Sequence, residues 1–188
     1  MKNAVIIHGI CDEDEYFSDK YPSLSNSHWL PWLQKQLLMK NILTQTPEMP
    51  KAYKPEYDKW VKEFERYEVN KDTVLIGHSC GGGFLLRWLS ENKIKINKLV
   101  LVAPWLDPKR EKTTSFFDFE IDKDIKERTA EIHLLVSKDD KENILKSVEI
   151  IKKSLPNVLC HEFLTSGHFC FSDIKTDKFP ELLSLITS

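Results

Sequence analysis

The sequence predicts an α/β fold: about six short, mostly parallel strands with helices on both faces, in a single domain spanning residues 1–188. Two observations carry that expectation. Short β-branched and apolar runs alternate with segments whose apolar residues recur every three or four positions, the pattern of strands joined by crossover helices. One of those runs, Thr73–Ile76, ends in Gly77-His78-Ser79-Cys80-Gly81 and passes at once into a helix-like sequence. A sharp strand–turn–helix of this kind needs residues without side chains where strand and helix pass close together.

Taken in order, Ala4–Ile7 reads as a buried strand that stops at His8-Gly9. The stretch from Ile10 to Ser27 is acidic at first (Asp12–Glu15) and then rich in Ser, Tyr and Pro, as expected of a long loop. A helix follows over Trp29–Met39, with Leu30, Leu33, Leu37 and Leu38 at helical spacing, and Ile42–Thr46 is a second strand. Glu56–Tyr67 is amphipathic, with Tyr57, Trp60, Val61, Phe64 and Tyr67 on one face. The strand Thr73–Ile76 leads to a helix over Phe84–Ser90. Asn97–Val102 is the fourth strand, and Trp105–Arg128 has no clean period. Ile132–Val136 is the fifth strand, Asn143–Ser154 a helix, Val158–Phe163 the sixth strand, and Asp177–Ile186 a closing helix.

Composition bounds the function. The chain has 188 residues, 41% hydrophobic and 30% charged, which suits a globular protein with a sizeable core. A net charge of -2 supplies no overall attraction to nucleic acid or to an anionic membrane surface. The N-terminal apolar run is too short for a signal peptide, and no segment is long enough to span a bilayer. The four cysteines have no metal-ligand or Cys-x-x-Cys spacing, so reduced thiols in a cytoplasmic protein are expected, with no metal.

In parallel sheets, reactive groups gather in the loops beyond the carboxyl ends of the strands. The loops that start at His8, Gly77, Ala103, Ser137 and Leu164 all leave that edge. Ser79 is the candidate nucleophile, raised on its turn, and a serine hydroxyl needs a base nearby to take its proton. His168, in the loop after the last strand, is the best placed of the six histidines. An imidazole in that role needs an acidic partner, which Asp139 or Asp140 supplies after the fifth strand; Asp140 is favoured and Asp139 is the alternative. The order Ser…Asp…His is that of an α/β-hydrolase. The backbone N–H of Cys80, just after the serine, and one near Ile10, just after His8-Gly9, are the expected oxyanion donors. His8, Trp29, Trp105 and Phe116 are expected around the substrate, with Tyr16 and Phe17 on one side and Phe117 on the other. The acidic run Asp12–Glu15 is read chiefly as a solvated loop, and otherwise as a feature that disfavours anionic substrates.

The elbow, the order of the three groups and the segment His28-Trp29-Leu30-Pro31-Trp32-Leu33 resemble the small serine hydrolases related to retinoblastoma-binding protein nine and the bacterial YdeN-like proteins. The resemblance covers essentially the whole chain. It implies a minimal α/β-hydrolase without a large lid, no cofactor, and a triad that falls by position on Ser79, Asp140 and His168. It also implies an esterase-like reaction on a small acyl substrate, with amidase, peptidase and thioesterase chemistry open to the same residues. The chain departs from the family pattern in its long Ile10–Ser27 loop and in Lys141-Glu142-Asn143, where prolines are usual. The competing expectation is a silent hydrolase fold that binds a protein through exposed aromatics at Trp105–Phe119.

Overall fold

A computed structural model describes residues 2–113 and 115–188. Six strands form one sheet: β1 (Asn3–Ile7), β2 (Leu43–Gln45), β3 (Thr73–His78), β4 (Ile96–Val102), β5 (Thr129–Ser137) and β6 (Leu159–Phe163), in the order β2-β1-β3-β4-β5-β6. All five pairings are parallel, in line with the fold class read from the sequence. Strands β1, β3 and β4 are near-continuous apolar runs because both faces of the sheet are covered. The edge strands β2 and β6 are short and partly exposed, which limits pairing with other chains.

The helices are α1 (Glu13–Tyr16), α2 (Leu30–Met39), α3 (Tyr57–Phe64), α4 (Cys80–Glu91), α5 (Ile125–Arg128), α6 (Glu142–Ser154), α7 (Phe171–Ile174) and α8 (Pro180–Thr187). From β1 the chain steps outward to β2, and every later step runs the other way. Right-handed crossovers therefore put α2 on one face and α3, α4 and α6 on the other. The closing α8 packs against α2 on the first face. The amphipathic reading of α3 holds: Tyr57, Trp60 and Phe64 are buried, and Trp60 meets Phe84 and Phe116 edge-on at 5.5 and 5.1 Å between ring centres.

Two local expectations are revised. The Ile10–Ser27 loop contains α1 and a 3-10 turn at Leu24–Asn26, and Glu48 pins it by accepting the Ser25 N–H at 2.8 Å. The helix after the elbow starts at Cys80 instead of Phe84. Its three glycines resemble a loop to any propensity scale, yet the turn demands them. A methyl group on Gly77 would lie 2.5 Å from Gly82 Cα, and one on Gly81 would run into the carbonyl oxygens of Ile7 and His8.

Register sets the site. Ile7 pairs with Gly77, His78 with Val102, Val102 with Leu135, and Ser137 with Phe163, so the strands end at one level and their following loops meet above it. Among the described residues, no helix is long and apolar enough to cross a membrane.

Candidate active site

Ser79 sits between β3 and α4 with φ 55° and ψ −122°, a backbone conformation costly for a residue with a side chain. The surroundings hold it there. Its N–H donates to Val102 C=O at 2.9 Å, and its own C=O accepts from the N–H groups of Gly82, Gly83 and Trp105. Cys80 is the first residue of α4, where a backbone N–H has no carbonyl partner within the helix and the helix dipole presents positive charge. The Cys80 side chain is fully buried and burial pushes its thiol well above the usual range, so it is no rival nucleophile.

The loop after β1 lies against the serine: a methyl group on Gly9 would sit 3.1 Å from Ser79 Cβ. His8 fastens this loop. Its Nδ1–H donates to Gly9 C=O at 2.7 Å, while Nε2 accepts the Met49 N–H at 2.8 Å. This pairing fixes a neutral tautomer, and burial holds the pKa of the ring down. From sequence a structural role for His8 stands equal to one beside the substrate; both of its ring nitrogens bond backbone groups, and it also borders a narrow cavity of about 50 Å³ together with Ser79 and His168.

The two aspartates after β5 diverge. The Asp140 side chain is 1% exposed, and its Oδ2 lies 3.0 Å from His168 Nδ1, with Oδ1 at 3.2 Å. Asp139 turns to the loop backbone: its Oδ1 accepts the Ser137 hydroxyl and the Gly167 N–H, and these hydrogen bonds hold its carboxyl below the usual range. Ser137 in turn accepts the Ser166 N–H at 2.8 Å. Because Nδ1 of His168 faces a carboxylate, its proton is assigned there, leaving Nε2 as the nitrogen that can act as a base.

Ser79, His168 and Ile10 line one cavity of about 250 Å³. Trp105, Cys11 and Ile144 form its apolar walls, and its polar lining carries both signs: Asp12 and Glu15 from α1 and its approach, Lys112 and Lys141 from elsewhere. Lys112 Nζ reaches Asp12 Oδ1 at 3.2 Å. Two carboxylates of the acidic run and two lysines thus face the same cavity. A larger cavity of about 460 Å³ lies between residues 106–123 and α6, and neither Ser79 nor His168 reaches it.

Among the expected substrate-lining aromatics, the structure brings only Trp105 to this cavity. Trp29 is fully buried, edge-on to His78 and Phe179 at 5.7 and 5.8 Å. Phe116 is 2% exposed and packs among Tyr57, Trp60, Phe84 and Phe117. Tyr16 meets Phe17 edge-on, both pack against Tyr53, and neither lines the cavity of Ser79. Trp105 and Phe116 are buried, whereas Phe117 and Phe119 are half-buried and border the larger cavity, so the aromatics named in the competing expectation are split between core and surface. Phe116→Ala is therefore expected to cost about 3–5 kcal/mol of stability in urea unfolding, the price of an emptied aromatic core site. A loss of substrate affinity with unchanged stability would contradict this placement.

A family model described as "Serine hydrolase" matches residues 20–172. The chain belongs to the serine hydrolase family. The ydeN gene product of B. subtilis superposes with a TM-score of 0.84 at 23% identity, over 100% of this chain and 97% of that one. A putative YdeN-like hydrolase from Pectobacterium atrosepticum follows at 0.65 and 16%, covering 98% and 89% of the two chains. Est1E from Butyrivibrio proteoclasticus, solved with ferulic acid bound, gives 0.64 and 14%, over 100% and 85%. No curated protein matches this family member in sequence. The neighbours establish the α/β-hydrolase fold, and the resemblance read from the elbow and the His-Trp-Leu-Pro-Trp segment agrees with them.

Sequence reasoning overlooked two groups that hold His168 in place: Asp173, which accepts the His168 N–H at 3.0 Å, and His78, which contacts the His168 carbonyl. The signal for His78 was available, since it immediately precedes the candidate nucleophile. Asp173 had none, because its role depends on how the 165–173 segment curls.

Proposed function

We propose that this serine hydrolase family member cleaves an ester, thioester or amide of a small acyl substrate through Ser79, His168 and Asp140. The observation that carries the reading is the Asp140–His168 pair at 3.0 Å on the rim of a cavity that Ser79 also lines. His168 Nε2 takes the Ser79 proton as Oγ attacks the carbonyl carbon. The developing oxyanion is held by the Cys80 N–H at the start of α4 and by the Ile10 N–H. Collapse breaks the bond to the leaving group, which takes the proton from His168, and leaves an acyl-enzyme on Ser79. Water, deprotonated by the same nitrogen, then releases the acid and restores the serine. Asp140 keeps the proton on Nδ1 throughout and offsets the charge of the imidazolium.

The cavity volume of about 250 Å³ favours a small acyl group, and no cofactor is needed for these steps. The fold neighbour with ferulic acid bound holds the kind of carboxylic acid that an ester hydrolase releases. Labelling with a fluorophosphonate tests the reading: wild type is expected to label and Ser79→Ala is not. Equal labelling of both, or of neither, would remove Ser79 from the role of nucleophile.

A further inference from the structure

His78 is the residue just before the proposed nucleophile, and its side chain is directed at the proposed base. It is 3% exposed, and its Nε2–H donates to the backbone carbonyl of His168 at 2.8 Å. The two rings lie 5.1 Å apart between centres and are tilted by 39°. On its other sides the His78 ring meets Trp29 and His28, at 5.7 and 5.8 Å, and His28 Nδ1 accepts the Phe171 N–H at 3.2 Å.

The peptide that carries His168 has a demanding backbone. Gly167 and Phe169, on either side of it, both have left-handed φ values of 49° and 58°. Such a loop keeps one shape only where its surroundings over-determine it. Three side chains do so here: Asp139 takes the Gly167 N–H, Asp173 takes the His168 N–H, and His78 gives its proton to the His168 carbonyl. Asp139 belongs to the loop after β5, and Asp173 to α7 on the far side of His168 itself. Of the three, only His78 comes from the turn that carries Ser79.

We propose that His78 is a positioning residue that sets the distance between Ser79 and His168, by tying the carbonyl of the base's own residue to the turn of the nucleophile. The role rests on the catalytic reading of Ser79 and His168. It acts through a hydrogen bond, and a proton on this nitrogen is what the bond requires. The ring stays neutral while His168 becomes charged, because burial first and the neighbouring His168 and His28 next hold its pKa well below the ordinary histidine value. A second charge so near would otherwise oppose the imidazolium.

Two variants separate the hydrogen bond from mere packing. His78→Phe keeps a ring against Trp29 and removes the donor, whereas His78→Gln places an amide N–H near the position of Nε2. In hydrolysis of a short p-nitrophenyl ester, His78→Phe is expected to lose about 10- to 100-fold in kcat, with KM within about twofold, the size of effect that a small misplacement of reacting groups produces. His78→Gln is expected to recover most of that loss. Wild-type kcat in His78→Phe overturns the proposal, and so does an equal loss in both variants or a change confined to KM. A readout independent of turnover is the downfield NMR signal of the His168 Nδ1 proton. It is expected to broaden or vanish in His78→Phe and to return in His78→Gln; an unchanged signal in His78→Phe also overturns the proposal. A wild-type protein that fails to label or hydrolyse would sink the catalytic reading, and the NMR comparison would still decide whether His78 orders the His168 loop.

Discussion

Replacing Asp140 by asparagine is expected to lower kcat about 10⁴-fold on a short p-nitrophenyl ester, while Asp139→Asn stays within about tenfold of wild type. The difference follows from what each carboxylate holds. Asp140 Oδ1 accepts the Lys141 N–H at 2.7 Å, and the pair of oxygens faces His168 Nδ1. An amide has one oxygen. If it stays on Lys141, the NH₂ group faces Nδ1 and drives the imidazole proton to Nε2, where the ring cannot take the serine proton. The charge that offsets the imidazolium is lost as well, in a side chain only 1% exposed. Asp139, in contrast, uses Oδ1 for both its hydroxyl and its N–H partner, and an asparagine oxygen can do the same. The reverse ranking, or equal losses, would move the acidic role away from Asp140.

The case of these neighbours shows where the sequence is legible and where it is not. Strand positions were readable because burial on both sheet faces leaves uninterrupted apolar runs, as in Val74–Ile76 and Leu99–Val102. The convergence of the loops followed from parallel topology. Adjacent loop residues carry no such period: Asp139 and Asp140 differ by the direction in which a turn throws each side chain, which tertiary contacts decide. The aromatics fail for a related reason. Trp29, Trp105 and Phe116 have the same apolar character whether they line a cavity or fill a core, and only Trp105 does the former. The start of α4 was misplaced because Gly81, Gly82 and Gly83 are poor helix formers individually, while close packing against β1 and the 104–105 segment requires their size. His78 is legible in the sequence only as a member of the Gly77–Gly81 turn, where nothing local shows what its ring meets. Its importance depends on a partner 90 positions away.

The same buried histidines make stability sensitive to mild acid. His8 and His78, and with them the less buried His28 and His161, all have folded-state pKa values below the ordinary value of 6.5, chiefly through burial. The unfolded chain protonates them near that ordinary value and the native protein resists, so below about pH 6.5 the unfolded state binds more protons. Stability is therefore full above that pH and falls as pH decreases, by on the order of 1 kcal/mol per pH unit for each histidine until its folded pKa is reached. With a domain of ordinary stability, about 5–15 kcal/mol, His8 and His78, the two most buried of these, account for a noticeable share of the loss by pH 5. Carboxylates act in a separate window. Asp122, held at about 2 by Lys93 and Arg128 against the opposing effect of burial, and Asp107, tied to the Thr113, Glu111 and Lys112 N–H groups, stabilise the fold above their unfolded values near 4 and lose that contribution only at lower pH. Urea unfolding followed from pH 7.5 to pH 5 is expected to show a falling midpoint with little change in slope, and His8→Gln with His78→Gln in one chain is expected to flatten that fall. A midpoint that is constant over this range in the wild type would mean that the two rings are protonated as easily in the native protein as in the unfolded chain, which the burial of both does not permit.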